Sequence, residues 1–244
     1  VWASYPAPAF NAMVKLLRQK MKRNELIILG LSADAKGSLS AMFIKHGADD
    51  FLRKPFCPEE LNCRVMSSLE RRDMLQALKQ AALFDSLTGL CNRRAFYEQG
   101  TELLRLAHKG KRAAGVAMLD LDHFKQINDS FGHASGDNAL VLFANALQQA
   151  FPDALCGRLG GEEFALVSQL NGATLSARLD ALRQQCSTLN YAPGAPALSF
   201  SAGICHGQPE DLESMLQQAD MQLYQAKRSG RGRTLGATAT GHSG

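Results

Sequence analysis

Residues 158–166 read Arg158-Leu159-Gly160-Gly161-Glu162-Glu163-Phe164-Ala165-Leu166, two glycines and two adjacent carboxylates inside an otherwise apolar, strand-like stretch. Gly160 and Gly161 permit a tight turn with positive φ and let the backbone approach a ligand closely. Glu162 and Glu163 crowd negative charge at that turn, where a bound cation would offset their repulsion. Taken alone, these four residues fit a solvated hairpin tip as well as a metal-dependent phosphate site. Their neighbours decide between the two.

Upstream, Ala113 to Leu121 is an apolar run that gives way to Asp120-Leu121-Asp122-His123-Phe124-Lys125-Gln126-Ile127-Asn128-Asp129. A carboxylate at the end of a buried strand is held by the scaffold yet open to ligand. Mg²⁺ takes oxygen ligands at about 2.1 Å in octahedral array, which Asp120, Glu162 and a backbone carbonyl supply alongside substrate phosphates. Asp122 and Asp129 read as solvated or capping residues and His123 as structural. Phe124, Ile127, Phe131 and Phe164 read as core.

The 244 residues, 45% of them hydrophobic, suffice for one large domain or two smaller ones. The net charge of +4 is mild, but Lys227, Arg228, Arg231 and Arg233 fall within seven residues without interleaved aromatics. That composition suits phosphate binding better than nucleic acid, for which no reader motif is found. No apolar run is long enough to span a bilayer, so the chain reads as cytoplasmic, with no membrane partner. Cys57, Cys63, Cys91, Cys156, Cys186 and Cys205 form no Cys-x-x-Cys pair and read as reduced thiols. The first residue is Val, which points to a chain beginning partway through a longer product.

The opening segment, residues 1–57, reads as α/β. A helical pattern through Met13, Leu16 and Leu17 precedes a buried strand over Leu26 to Leu31, then a helix over Leu39 to His46 and a short strand ending in Lys54-Pro55. With Ser32 ending the first strand and Phe51 on the second, the segment resembles the C-terminal half of a response-regulator receiver domain. That resemblance implies a phosphate-contacting role for Lys54, a cis Lys54-Pro55 peptide, and an upstream histidine kinase acting through the complete receiver. The phosphoacceptor Asp and the acidic pocket are absent from the sequence, so a partial, flavodoxin-like fragment is expected.

A helix is expected from Pro58, with Glu59 and Glu60 near its positive end. Leu61, Val65, Leu69, Leu75, Leu78 and Ala82 recur at helical spacing over residues 58–84, which fits a paired stalk or a helix packed on its own domain. Asp85-Ser86-Leu87-Thr88-Gly89, rich in capping and turn residues, marks the boundary to a second domain.

Within residues 85–235 the Asp120–Asp129 stretch, Phe131-Gly132-His133, Gly136-Asp137, Gly160-Gly161-Glu162-Glu163-Phe164, Ser201-Ala202-Gly203 and Ala219-Asp220 through Ala226-Lys227 to Gly230-Arg231 occur in one order. This series resembles the GGDEF family of diguanylate cyclases, which condense two GTP into cyclic di-GMP and two pyrophosphates. The resemblance implies an α+β domain with a central mixed sheet flanked by helices, of the nucleotide-cyclase and polymerase-palm type. It implies Asp120, the Leu121 carbonyl and Glu162 as ligands of Mg²⁺ or Mn²⁺, with Glu162 also accepting the 3′-hydroxyl proton and Glu163 supporting a second ion. Lys125 would stabilise charge on the transferring phosphoryl group. Asn128 and Asp137 would read guanine, whose adjacent N–H donors one carboxylate accepts together. His133 would touch substrate, and Gly160 and Gly161 would leave room for phosphates. Lys227 and Arg231, one helical turn apart, would hold the terminal phosphates or simply form the basic end of a helix. Residues 236–244, rich in Gly, Ala and Thr, read as a flexible tail.

Each 3′-hydroxyl must reach the α-phosphate of the other nucleotide, so the resemblance implies a homodimer with two-fold symmetry. Two other readings remain: a catalytically inactive module that binds GTP or cyclic di-GMP, and an adaptor acting through its surfaces. Many family members carry Arg-x-x-Asp before the glycine turn, forming a product-inhibition site. Phe151 and Ala154 occupy those positions here, and Asp153 is out of register by one. Cyclic di-GMP titrated into a turnover assay is therefore expected to inhibit weakly or not at all, and submicromolar inhibition would contradict the reading.

Overall fold

The computed structural model describes residues 7–22, 25–33, 38–209 and 211–238, which fall into two units, residues 1–80 and 81–244. In the first unit, helix α1 (Ala7–Lys20), strand β1 (Leu29–Ser32), helix α2 (Ser38–Lys45) and strand β2 (Asp50–Arg53) follow one another, with β1 and β2 parallel. Their small core joins Val14, Ile28, Phe43 and Ala48, and Phe43 stacks on Phe51 at 5.3 Å. The first strand starts at Leu29 rather than Leu26 because side chains satisfy the preceding backbone. Asp49 accepts the Ile28 N–H at 2.8 Å, and Arg18 donates to the Leu26 and Gly47 carbonyls and pairs with Asp49. The Lys54-Pro55 peptide is cis.

Helix α3 (Pro58–Leu83) opens with Pro58, Glu59 and Glu60 in its first turn, where a missing N–H costs nothing and carboxylates meet the positive end of the dipole. It buries Ser68 and leaves Met66, Met74, Leu75 and Leu78 exposed.

The second unit begins at a turn in which Asp85 accepts the backbone N–H and hydroxyl of Thr88. Strand β3 (Cys91–Asn92) follows, and the Asn92 side chain caps helix α4 (Arg93–Lys109) through the Ala95 N–H at 2.9 Å. Strand β4 (Ala114–Leu121) is buried at all eight positions. Helices α5 (Phe124–Phe131) and α6 (His133–Ala150), the hairpin of β5 (Leu155–Gly160) and β6 (Glu163–Ser168), helix α7 (Gly172–Cys186), strand β7 (Phe200–Gly207), helix α8 (Leu212–Arg228) and strand β8 (Thr234–Thr238) complete it. The sheet runs β3-β5-β6-β4-β7-β8, with β4 antiparallel to both neighbours and the pairs β3–β5 and β7–β8 parallel. It is the mixed sheet with flanking helices that the sequence implied.

Because β4 is buried on both faces it reads as a continuous apolar run, and its side chains still alternate. Ala117, Leu119 and Leu121 pack with Phe143, Phe164 and Phe200 and with Leu residues of α6 and α7. Val116 and Met118 pack on the opposite face with Phe96 of α4 and Met215 and Leu223 of α8. Phe164 and Ile127 lie in the core, and Phe124 and Phe131 pack at its edge. Cys91, Cys156, Cys186 and Cys205 are buried thiols outside any disulfide, while Cys57 and Cys63 are exposed.

The expected tail at 236–244 needs correction. Gly236, Ala237 and Thr238 belong to β8 and pair with Ile204, Cys205 and His206; residues 239–244 lie outside the described residues. Among the described residues no helix is long and apolar enough to cross a membrane.

Candidate active site

Asp120 continues the Val116–Met118 side of β4, the face covered by α8, and strand alternation thereby brings a carboxylate within reach of that helix. Lys227, in the last turn of α8, places Nζ 2.8 Å from Asp120 Oδ2. Asp120 is 6% exposed and stands opposite Glu163 on β6 and Ser201 on β7. The Leu121 N–H donates to the Glu162 carbonyl at 3.3 Å, so the glycine turn is tied to the strand end. Burial pushes the Asp120 carboxyl above its usual range; Lys227 opposes this, and the charges of Glu162 and Glu163 add to it.

The hairpin pairs Gly160 with Glu163 and leaves Gly161 and Glu162 at the tip. Gly161 adopts φ +49°, and a Cβ on either glycine would project into open space, so backbone conformation rather than crowding selects glycine and the surface beside it stays clear. Arg158, to which the sequence alone assigns no role, holds this tip. Its Nε donates to the Gly161 carbonyl at 2.8 Å while its Nη1 meets Asp85 Oδ1 at 3.0 Å. For Asp85, burial raises the carboxyl pKa, but Thr88 and Arg158 outweigh it and hold the group below its usual range. The boundary turn and the glycine tip thus share one guanidinium, a link between residues far apart in sequence that no local pattern announces.

Lys125, in the first turn of α5, is exposed, as are His133 and Asp137 at the start of α6. Asn128 is half-buried on α5, and its carbonyl accepts the Gly132 N–H at 2.9 Å, closing α5 against α6. Gly136 makes the pairing possible: a Cβ there would lie 1.9 Å from Asn128 Oδ1. Asn128 and Asp137 therefore sit on helices that can approach only because one of them carries a glycine at the crossing.

Two expectations at the other rim of the site need correction. Lys227 and Arg231 are not one helical turn apart, because α8 ends at Arg228 and Gly230, Arg231 and Gly232 all take positive φ, Arg231 at +62°. The Arg231 N–H reaches back to the Ala226 carbonyl at 3.1 Å, wrapping the chain out of the helix. Asp122 is neither solvated nor a helix cap. It is 6% exposed and accepts from Ser199 Oγ, Ser201 Oγ and the Gly232 N–H. Asp129 and His123 are exposed, and His123 takes φ +59° at the entry to α5. At the positions where a product-inhibition pair would stand, Phe151 is buried at the end of α6, Ala154 is half-buried and Asp153 is exposed.

Among the described residues no three His, Cys, Asp or Glu side chains form a ready-made metal cage. The donor set nonetheless fits a hard divalent cation, since Mg²⁺ is commonly held by one or two carboxylates plus substrate phosphates rather than by protein alone. Asp120, Glu162 and Glu163 are oxygen donors only, and Asp120 is buried with a single lysine offsetting its charge.

Residues 82–233 match the family model described as diguanylate cyclase, GGDEF domain. The chain belongs to this GGDEF family. It is similar to the response regulator PleD of Caulobacter vibrioides, 31% identical over 245 residues that cover 91% of this chain and 52% of PleD. It is similar to the diguanylate cyclase DgcP of Escherichia coli K12, 41% identical over 170 residues covering 64% of this chain and 48% of DgcP. The chain thus spans about half the length of these curated relatives. Among solved structures, the coiled coil and GGDEF domain of DgcB from Caulobacter crescentus in complex with c-di-GMP superimposes with a TM-score of 0.65 and 30% identity, covering 73% of this chain and 98% of that one.

The raised pKa of Asp120 has a thermodynamic consequence. The folded carboxyl holds its proton to higher pH than the unfolded one, so ionisation costs stability; the cost is absent below the ordinary carboxylate range and complete above the folded pKa. Asp120→Asn is expected to raise the melting temperature of the ligand-free protein at neutral pH, with the gain vanishing as pH falls through the carboxylate range. Thermal melts from pH 3 to 8 check this, and a gain that persists at the acid end would refute the assignment.

Proposed function

We propose that the chain is a diguanylate cyclase that condenses two GTP into cyclic di-GMP and two pyrophosphates across a homodimer. The observation that carries this reading is the buried strand-end carboxylate of Asp120 bound by Lys227 beside the Glu162–Glu163 turn. A desolvated carboxylate paired to a movable lysine is a site waiting for a better cation. Asp120, the Leu121 carbonyl and Glu162 would hold Mg²⁺ or Mn²⁺, with Glu163 supporting a second ion. Such a cation supplies charge neutralisation on the phosphates and lowers the pKa of an oxygen bound to it.

Lys227, exchanged from Asp120 to the terminal phosphates, would join Arg231 in holding the pyrophosphate that leaves. Asn128 and Asp137 would accept the guanine N–H groups, with His133 at the substrate beside them. Gly160 and Gly161 would admit the α- and β-phosphates against bare backbone. Glu162 takes the 3′-hydroxyl proton as that oxygen bonds to the α-phosphorus of the facing nucleotide, and Lys125 balances the charge that develops as the bond to pyrophosphate breaks. Positioning and charge balance supply most of what phosphoryl transfer needs.

Because one site holds one GTP, turnover requires two chains face to face. The exposed apolar residues of α3, Met66, Met74, Leu75 and Leu78, support a paired stalk. The parallel β1–β2 pair and the Ser32 and Phe51 positions support reading residues 1–57 as part of a receiver. A complete receiver would answer to a histidine kinase and set how two cyclase domains meet. GTP as substrate supports a cytoplasmic location for the domain.

Glu162→Gln is expected to lower cyclic di-GMP synthesis at least about 100-fold while leaving guanine affinity and melting behaviour near wild type. Product mass and nucleotide titration measure both. A variant turning over at the normal rate would overturn the role given to Glu162.

A further inference from the structure

Asp122 is a buried charged side chain that the proposed chemistry does not use. Its Oδ1 accepts Ser201 Oγ at 2.7 Å, and its Oδ2 accepts Ser199 Oγ at 2.8 Å and the Gly232 N–H at 3.1 Å. Its own N–H donates to the Ser199 carbonyl at 2.9 Å. Two serine hydroxyls would satisfy much of a carboxylate while knitting β7 to β4. The third donor is different, since Gly232 lies 110 residues away, just beyond the helix that carries Lys227.

The backbone around Gly232 needs an anchor. Arg231 is one of three described non-glycine residues with positive φ, a region that side-chain-bearing residues rarely occupy and that persists only when surrounding structure over-determines it. On one side Arg231 is fixed by its N–H to the Ala226 carbonyl; on the other, the next residue donates its N–H to Asp122. A charged acceptor makes that second tie strong. The strained residue is thus held at both ends, and its side chain is exposed.

We propose that Asp122 is a positioning residue that acts through the Gly232 N–H to fix the direction of Arg231, and so sets recognition of the triphosphate end of the nucleotide. The inference rests on the reading above that Arg231 holds the terminal phosphates. It assigns the second aspartate of Asp120-Leu121-Asp122 a role separate from the first: Asp120 faces the cation, and Asp122 holds the loop that faces the phosphates.

The test compares binding of GMP with that of a guanosine triphosphate carrying a methylene bridge between the α and β phosphorus atoms, measured by calorimetry with Mg²⁺ present. Asp122→Ala is expected to weaken the triphosphate about tenfold and GMP less than about twofold. In an Arg231→Ala background the same substitution is expected to add no further loss, as in a double-mutant cycle for residues acting through one another. Equal losses for both ligands, or an undiminished loss without Arg231, would overturn the inference in favour of a packing role. Should Asp122→Ala not fold, the wild-type Gly232 amide decides: slow hydrogen exchange supports the anchor, and exchange at the rate of an open glycine overturns it. Wild-type protein that prefers the triphosphate no more than GMP overturns both this inference and the phosphate role of Arg231. Failure to make cyclic di-GMP with the binding pattern intact overturns only the cyclase reading.

Discussion

A carboxylate at the end of a fully buried strand is the constraint around which the second unit is organised. β4 is apolar and covered on both faces, and its penultimate residue is Asp120, whose negative charge is costly without a cation. Lys227 meets that need, and it can do so because α8 packs on the same face of the sheet. Glu162 and Glu163, delivered by the hairpin on the neighbouring strand, raise the negative potential further. A polar cluster therefore stands at the ends of the three neighbouring strands β6, β4 and β7 in the interior of the sheet, and a perturbed carboxylate in such a place marks a candidate ligand site.

Around that cluster, charged side chains act as long-range ties. Arg158 joins the entry turn at Asp85 to the tip at Gly161, and Asp122 joins the exit loop at Gly232 to β4 and β7. Each tie crosses between segments remote in sequence, so the polypeptide enters and leaves the domain at points fastened to the site. The turn at residue 85 and the glycine turn are thereby joined through a single guanidinium.

The local features are legible in the sequence because each carries a local chemical reason: the apolar run leading into Asp120, the Gly-Gly-Glu-Glu turn of the candidate site and the Pro58 helix start. What escaped was non-local. Asp122 looked solvated because its position after a strand resembles a turn, whereas its hydroxyl partners come from residues 199 and 201. Basic residues at that spacing suit a helix at Arg231, but α8 ends at Arg228 and the backbone turns to positive φ from Gly230. β8 was missed because Gly236 and Ala237 have no strand signature; it exists by pairing with β7. β1 began late because Asp49 took a donor that a ladder would have used.

We propose Asp120 as a cation-binding carboxylate that Lys227 occupies only until nucleotide arrives. Its most direct test is a crystal structure with the methylene-bridged guanosine triphosphate and Mn²⁺, using anomalous scattering to locate the metal. The account predicts an anomalous peak bound by Asp120 and Glu162, with Lys227 withdrawn onto the terminal phosphates. Bound nucleotide with Lys227 still paired to Asp120 and no metal peak beside it would contradict the account.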